Sequence, residues 1–60
     1  MYKEYLIEIK NESNSVFLRV IAKDETQAKE LASNHIDLYY DGFTYVGIEK
    51  VYSIPAIGVI

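Results

Sequence analysis

The stretch Lys23-Asp-Glu-Thr-Gln-Ala-Lys-Glu-Leu-Ala-Ser-Asn-His-Ile-Asp-Leu-Tyr-Tyr40 decides the fold, because it is the only segment with sustained helical periodicity. Apolar or small residues recur in it at the three- and four-residue spacing of an amphipathic helix. The predicted buried stripe, flanked by Ile36 and Leu38, consists of Ala28, Leu31, Ala32, His35 and Tyr39. The small side chains of Ala28 and Ala32 would let the helix lie close over a sheet. The opposite, solvent face carries Lys29, Glu30, Ser33, Asn34 and Asp37.

Both ends of this helix carry sequence signals. Asp24 can cap the N-terminus, and Gln27 follows it at capping-box spacing. Glu25 lies in the first turn, where the helix dipole favours an anion. Asp41-Gly42 predicts the end of the helix, because glycine tolerates the left-handed conformation that helix C-termini prefer.

Two strands are predicted before the helix. Alternation from Tyr2 to Lys10 predicts a half-buried strand. The short polar side chains from Asn11 to Ser15 favour a turn, so they join this strand as a hairpin to a second strand from Val16 to Lys23. The predicted core faces consist of Tyr5, Ile7 and Ile9 in the first strand, and of Val16, Leu18, Val20 and Ala22 in the second.

A third strand is predicted from Phe43 to Ile54, which is rich in β-branched and aromatic residues. Val46 and Ile48 share a face in a regular strand, whereas Val51 is out of phase with them. Either a bulge near Glu49-Lys50 shifts the register, or both faces of this strand are partly covered.

These elements predict one domain over residues 1–60 with an α+β fold, a three-stranded antiparallel sheet with one helix on one face (ββαβ). Pro55 ends the ladder, because proline has no N–H to donate. The apolar C-terminal tail, Ile54 to Ile60, has no charged side chain. We expect it to fold back as an edge segment, to pack on the open sheet face, or to sit in a partner subunit as part of a homodimer.

Composition indicates the class of protein. The 60 residues include no cysteine, which excludes disulfides and thiolate metal sites and fits a reducing, cytoplasmic setting. A net charge of −3 with scattered basic residues argues against direct nucleic-acid binding. The chain has no run of about 18 apolar residues and no basic-then-apolar start, so we expect neither a membrane span nor export by a signal peptide.

Residues that could support chemistry are few. We expect His35, the single histidine, to be half-buried in the helix stripe rather than to act as a ligand or base. Asp37 and Asp41 are one turn apart but lack a third ligand at helical spacing, so no metal site is predicted. No serine has an evident base, and the glycines are isolated. The sequence therefore predicts a protein that is not an enzyme and that has no catalytic residues and no cofactor.

Some apolar residues remain outside the predicted core. Leu6, Phe17 and Ile21 fall on the sheet face away from the helix, interleaved with Arg19 and carboxylates, which predicts a contact surface. The alternative is that exposed apolar residues are ordinary and need no partner. Six tyrosines could also supply interface anchors, although we expect some of them to be structural, namely Tyr5, Tyr39 and one of Tyr45 or Tyr52.

Two short motifs accompany this order of elements. They are Lys10-Asn-Glu-Ser13 at the hairpin, and Lys23-Asp24-Glu25 with Gln27 at the helix start. Together they resemble the Dmd family, small antitoxins of T-even-type bacteriophages. The chain departs from that family at Ala28, where the family pattern has a large aromatic residue, and again from Pro55 onward.

The resemblance implies a monomeric or dimeric inhibitor in the host bacterial cytoplasm. It would bind an endoribonuclease toxin of the host, of the RnlA or LsoA type, and occlude RNA cleavage without any chemistry of its own. On that hypothesis we expect carboxylates and aromatic anchors at the contact, and two places are candidates. One is the outward helix face ending in Asp37, Tyr40 and Asp41, which we favour, and the other is the outer sheet face with Phe17, Arg19 and Ile21. A competing resemblance, carried by Val20 to Ala28 as Val-x-Ala-x-Asp-x-x-x-Ala, is to phage or plasmid accessory proteins of the DpnD and PcfM kind.

Overall fold

The structure, a computed structural model, describes residues 2–53. Four elements follow one another: β1 (Lys3–Lys10), β2 (Ser15–Ala22), α1 (Glu25–Tyr39) and β3 (Thr44–Ser53). The three strands form one sheet in the order β2-β1-β3, and both neighbouring pairs are antiparallel. The predicted ββαβ fold is therefore confirmed, while Pro55 and the apolar tail lie outside the described residues.

The hairpin between β1 and β2 is closed by the side chain of Asn11. Its Oδ1 accepts hydrogen bonds from the N–H groups of Ser13 at 2.9 Å and Asn14 at 2.7 Å. The Asn11 N–H also donates to the Asn14 carbonyl oxygen at 2.9 Å. This is the local turn chemistry that the cluster of short polar residues predicts.

The core lies between the sheet and the helix, and its deepest part is on β1. Ile7 and Ile9 are fully buried, because β1 has a strand on each side and the helix above it. The remaining buried residues confirm the predicted strand faces and add three helix positions: Tyr5, Leu18, Ala22, Ala28, Ala32 and Ile36. Tyr45 packs against this cluster, so Tyr5 and Tyr45 are structural as expected.

The predicted helix stripe was partly wrong. The buried residues are Ala28, Ala32 and Ile36, which recur every four residues and form a narrow line. A three-stranded sheet covers only such a line, so Ile36 is central rather than flanking. The helix residues predicted to be buried that are in fact exposed are Leu31, His35 and Tyr39.

The helix begins and ends at the predicted signals. Asp24 Oδ1 accepts from the Gln27 N–H at 2.8 Å, while Gln27 Oε1 accepts from the Lys23 N–H at 2.7 Å. This return bond therefore reaches one residue before the cap, rather than the N–H of Asp24 itself as in a capping box. At the other end the Tyr40 N–H bonds the Ile36 carbonyl oxygen at 2.9 Å, and Gly42 has a φ of 90°.

The third strand contains two irregularities. The register with β1 shifts between Leu6 and Ile7 and again between Glu8 and Ile9, which leaves Glu49 and Val46 as the extra residues of β3. Of the two explanations offered for Val51, the bulge near Glu49-Lys50 is confirmed. It brings Ile48 and Val51, the partners of Ile7 and Tyr5, into phase on the helix side, while Val46 is the extra residue of the other bulge.

The two flanks of the helix face different strands. Lys29 lies on the β3 side, with its Nζ 5.4 Å from the centre of the Tyr45 ring. At about 100° per residue, Leu31, His35 and Leu38 lie on the opposite flank, towards β2. Leu31 and His35 line one groove together with Leu18 and Val20 of β2.

Candidate functional site

A cluster of rings surrounds the C-terminal end of the helix. His35 lies 4.7 Å from Tyr39 and 5.7 Å from Tyr40, measured between ring centres, and Tyr40 meets Phe43 edge-on at 5.3 Å. Tyr40 and Phe43 pack against the core, whereas Tyr39 is 70% exposed. The cluster therefore joins a fixed inner part to a tyrosine ring that is open to contact.

Two carboxylates lie at the same end of the helix as these rings. Asp37 lies in the last turn of the helix and Asp41 directly follows its C-cap, and both are exposed. The last turn contains no basic residue, although the negative end of a helix dipole favours cations. The rings and the two carboxylates together are the acid-aromatic end, made of His35, Asp37, Tyr39, Tyr40, Asp41 and Phe43.

The hairpin adds further charge to this end of the molecule. A shallow depression brings Lys10, Asn11 and Glu12 next to Gly42 and Thr44. Glu12, Asp37 and Asp41 against Lys10 give a surplus of two negative charges here, out of a net charge of −3 for the whole chain. Most of the negative surplus is therefore at one end of the fold.

A second surface lies along the side of β2 that pairs with no other strand within residues 2–53. A groove of about 380 Å³ runs between this strand and the helix. We call it the β2-edge groove; its lining residues are Phe17, Leu18, Arg19, Val20, Ile21, Leu31 and His35. It contains no carboxylate, although the chain has nine acidic residues.

The predicted contact residues separate into these two surfaces. Phe17, Arg19 and Ile21 line the β2-edge groove, and all three are exposed. The other three, Asp37, Tyr40 and Asp41, belong to the acid-aromatic end, where Tyr40 is half-buried. His35 borders both surfaces, because it lines the groove and stacks on Tyr39.

Sequence reasoning missed the helix side of the groove, because it assigned Leu31 and His35 to the core. The four-residue spacing of Ala28, Ala32 and Ile36 is the signal that could have separated buried from exposed positions. Once that line is buried, Leu31 and His35 must lie on its β2 flank.

Residues 2–53 contain no group of three or more His, Asp or Glu side chains that could hold a metal ion. The helix α1 in this range is not long and apolar enough to cross a membrane. The two surfaces described above remain the features that a functional proposal can use.

No protein-family model, curated protein or solved structure matches this chain. The motifs that resemble the Dmd family have structural roles here. Asn11 closes the hairpin, while Asp24 and Gln27 cap the helix.

Proposed function

We propose that this chain is a protein-binding module without catalytic activity, which uses its acid-aromatic end to bind a basic surface on a partner. We further propose that the partner is a host endoribonuclease toxin of the RnlA or LsoA type, whose cleavage of RNA is thereby occluded. The proposal rests on one observation: Asp37 and Asp41 lie at the negative end of the helix, which has no basic residue in its last turn and which also carries the exposed ring of Tyr39.

This arrangement is unfavourable in the free protein. An exposed carboxylate at a helix C-terminus costs about 0.3–1 kcal/mol relative to a neutral residue. Next to a basic partner surface the same carboxylates become favourable, because the lysines and arginines of the partner supply the cations that the helix end lacks. Tyr39 adds an exposed aromatic ring of the type that anchors protein interfaces.

A ribonuclease is a suitable partner for such an end. Any surface that holds RNA must be positively charged to neutralise phosphates. An acidic, aromatic patch can occupy that surface, and the opposite charges accelerate the encounter. The class of toxin comes from the resemblance of the hairpin and helix-start motifs to the Dmd family.

Growth rescue tests both parts of the proposal. Cells expressing an RnlA-type or LsoA-type toxin are supplied with the chain or a variant at matched abundance. The wild type should restore growth, and Asp37→Lys should not, because it places a cation against a basic surface. Glu30→Lys is the control: the same charge reversal at an exposed mid-helix position should leave rescue intact.

Two results would contradict the proposal. Failure of the wild type to restore growth against either toxin removes the antitoxin function. Equal rescue by the wild type and Asp37→Lys removes the acid-aromatic end as the contact surface.

A further inference from the structure

We propose that two copies of this chain associate through β2, joining their sheets into one continuous six-stranded antiparallel sheet. The surface involved is the β2-edge groove, which is distinct from the acid-aromatic end. The dimer therefore stands or falls independently of the proposed function.

The two edges of the sheet differ in how they are protected. β3 carries two bulges, at Val46 and Glu49, and bulges keep an edge strand from pairing with another chain. β2 pairs with β1 over eight residues without a register shift, and it contains no proline, glycine or lysine. A long, regular edge of this kind, in which Arg19 is the single charged residue, is a template for another strand.

The free hydrogen-bonding groups of β2 can be assigned from the hairpin. The Asn11 N–H to Asn14 O bond makes these two residues a hydrogen-bonded pair, and such pairs alternate along an antiparallel ladder. The register then makes Val16, Leu18 and Val20 bond to β1. The outward N–H and C=O groups belong to the intervening residues, which are Ser15, Phe17, Arg19 and Ile21.

The sequence of β2 is complementary to itself about Leu18. In a two-fold pairing centred there, Val16 lies opposite Val20 of the partner subunit on the helix side. On the other face, Phe17 lies opposite Arg19 of the partner subunit, a favourable ring and guanidinium pair. All outward-facing groups from Ser15 to Ile21 are then bonded. A pairing centred on Arg19 would instead oppose two like charges, which is destabilising.

The helix side of the groove fits the same dimer. The flank of the helix that carries Leu31 and His35 lines the groove beside β2. In the joined sheet the two helices would lie on the same side of the sheet, with these flanks towards each other. The residues between them would be Leu31, His35 and Leu38, and Leu38 is 73% exposed in a single copy.

Charge and area favour a second copy as the occupant of the groove. Copies of an acidic chain repel one another in general, but here the contact surface contains no carboxylate. Phe17 and Ile21 are 51% and 58% exposed, so pairing would cover apolar surface. The buried area is on the order of 500 Å² per copy, at the low end for specific interfaces. We therefore expect a reversible dimer whose Kd is micromolar rather than nanomolar.

Sedimentation equilibrium over a range of concentrations tests the dimer, with two proline variants as a matched pair. Arg19→Pro removes an outward N–H from β2 without breaking the ladder to β1 and should give a monomer at every concentration. Val51→Pro removes an outward N–H from the β3 edge in the same way. Val51 lies opposite Tyr5, whose N–H and C=O groups bond β2, so the N–H and C=O groups of Val51 point away from β1. This variant should keep the wild-type Kd. Far-UV circular dichroism confirms that both variants are folded.

A cross-linking experiment tests the pairing without proline. The chain has no cysteine, so Ser15→Cys and Ile21→Cys can be made as single variants. The two positions lie opposite each other only in the pairing centred on Leu18, so an equimolar mixture should form a disulfide between unlike copies. Each variant alone should not.

The inference is overturned if the wild type is monomeric up to about 1 mM, a concentration far above the expected Kd. It is also overturned if the two prolines have equal effects on association, or if the mixed cysteine variants cross-link no more than either variant alone.

Discussion

Neutralising Asp37 should stabilise the free protein while weakening its binding. Asp37 is exposed and lies in the last helical turn, which contains no basic residue. Asp37→Asn keeps the size of the side chain, and asparagine has nearly the same helix propensity as aspartate. The main change is therefore the removal of a negative charge from the negative end of the helix dipole.

The expected gain follows from the exposure of the carboxylate. Charges at the ends of exposed helices contribute about 0.3–1 kcal/mol at low ionic strength. We expect the lower part of that range, about 0.5 kcal/mol, because water screens the Asp37 side chain. In a chain of this size the gain corresponds to a rise in Tm of about 2–4 °C.

Thermal unfolding followed by far-UV circular dichroism measures this shift. Protein concentration is held constant, because association would also change Tm. Glu25→Gln is the matched control, since Glu25 lies in the first turn, where a carboxylate is favourable, and its loss should lower Tm. Both shifts should shrink in about 1 M salt, where charges are screened beyond about 3 Å.

A fall in the Tm of Asp37→Asn at low salt would refute the reasoning, because it would mean that Asp37 is favourable where it stands. If Asp37→Asn and the wild type rescue growth equally, the negative charge of Asp37 does not contribute to partner binding.

Three further predictions concern the fold, each measured by urea unfolding. Ile7→Ala should lower the free energy of unfolding by about 2–5 kcal/mol, a large part of the roughly 3–9 kcal/mol expected for a chain of this length. Ile21→Ala, at an exposed position, should change it by no more than about 0.5 kcal/mol. Equal losses for the two variants would contradict the assigned core. Asp24→Ala should cost about 1 kcal/mol, because the Gln27 N–H loses its acceptor, whereas Asp24→Asn should be nearly neutral. Gly42→Ala should cost about 1–2 kcal/mol of stability, because Gly42 has a φ of 90°, which is unfavourable for alanine. The cost is not steric, since a Cβ there would meet nothing within 4 Å. If no stability is lost, the backbone of the turn relaxes readily.

Local signals were sufficient to predict the elements of this fold. Asp24 and Gly42 mark the helix ends through bonds and dihedral angles that involve only their neighbours. The alternation of Tyr5, Ile7 and Ile9 identifies the buried face of β1, because successive side chains of a strand point to opposite faces.

Features that depend on packing were harder to predict. Leu31 and Ile36 are equally apolar, so hydrophobicity does not decide which of them is buried, whereas Ile36 continues the four-residue line of Ala28 and Ala32. The bulge at Val46 precedes Gly47, a residue type that suits bulges, but its position appears only in the pairing with β1. The helix side of the β2-edge groove was missed because Leu31 and His35 were assigned to the core, whereas both are exposed along β2, which lies at an edge of the sheet.

The proposed inhibition can be measured directly with purified components. A toxin of the RnlA or LsoA type is incubated with a labelled RNA while the chain is titrated in, with Glu30→Lys and Asp37→Lys in parallel. We predict that RNA cleavage stops at one chain per toxin active site for the wild type and Glu30→Lys, and continues with Asp37→Lys. Undiminished cleavage by both toxins in the presence of a molar excess of the wild type would contradict the proposed function.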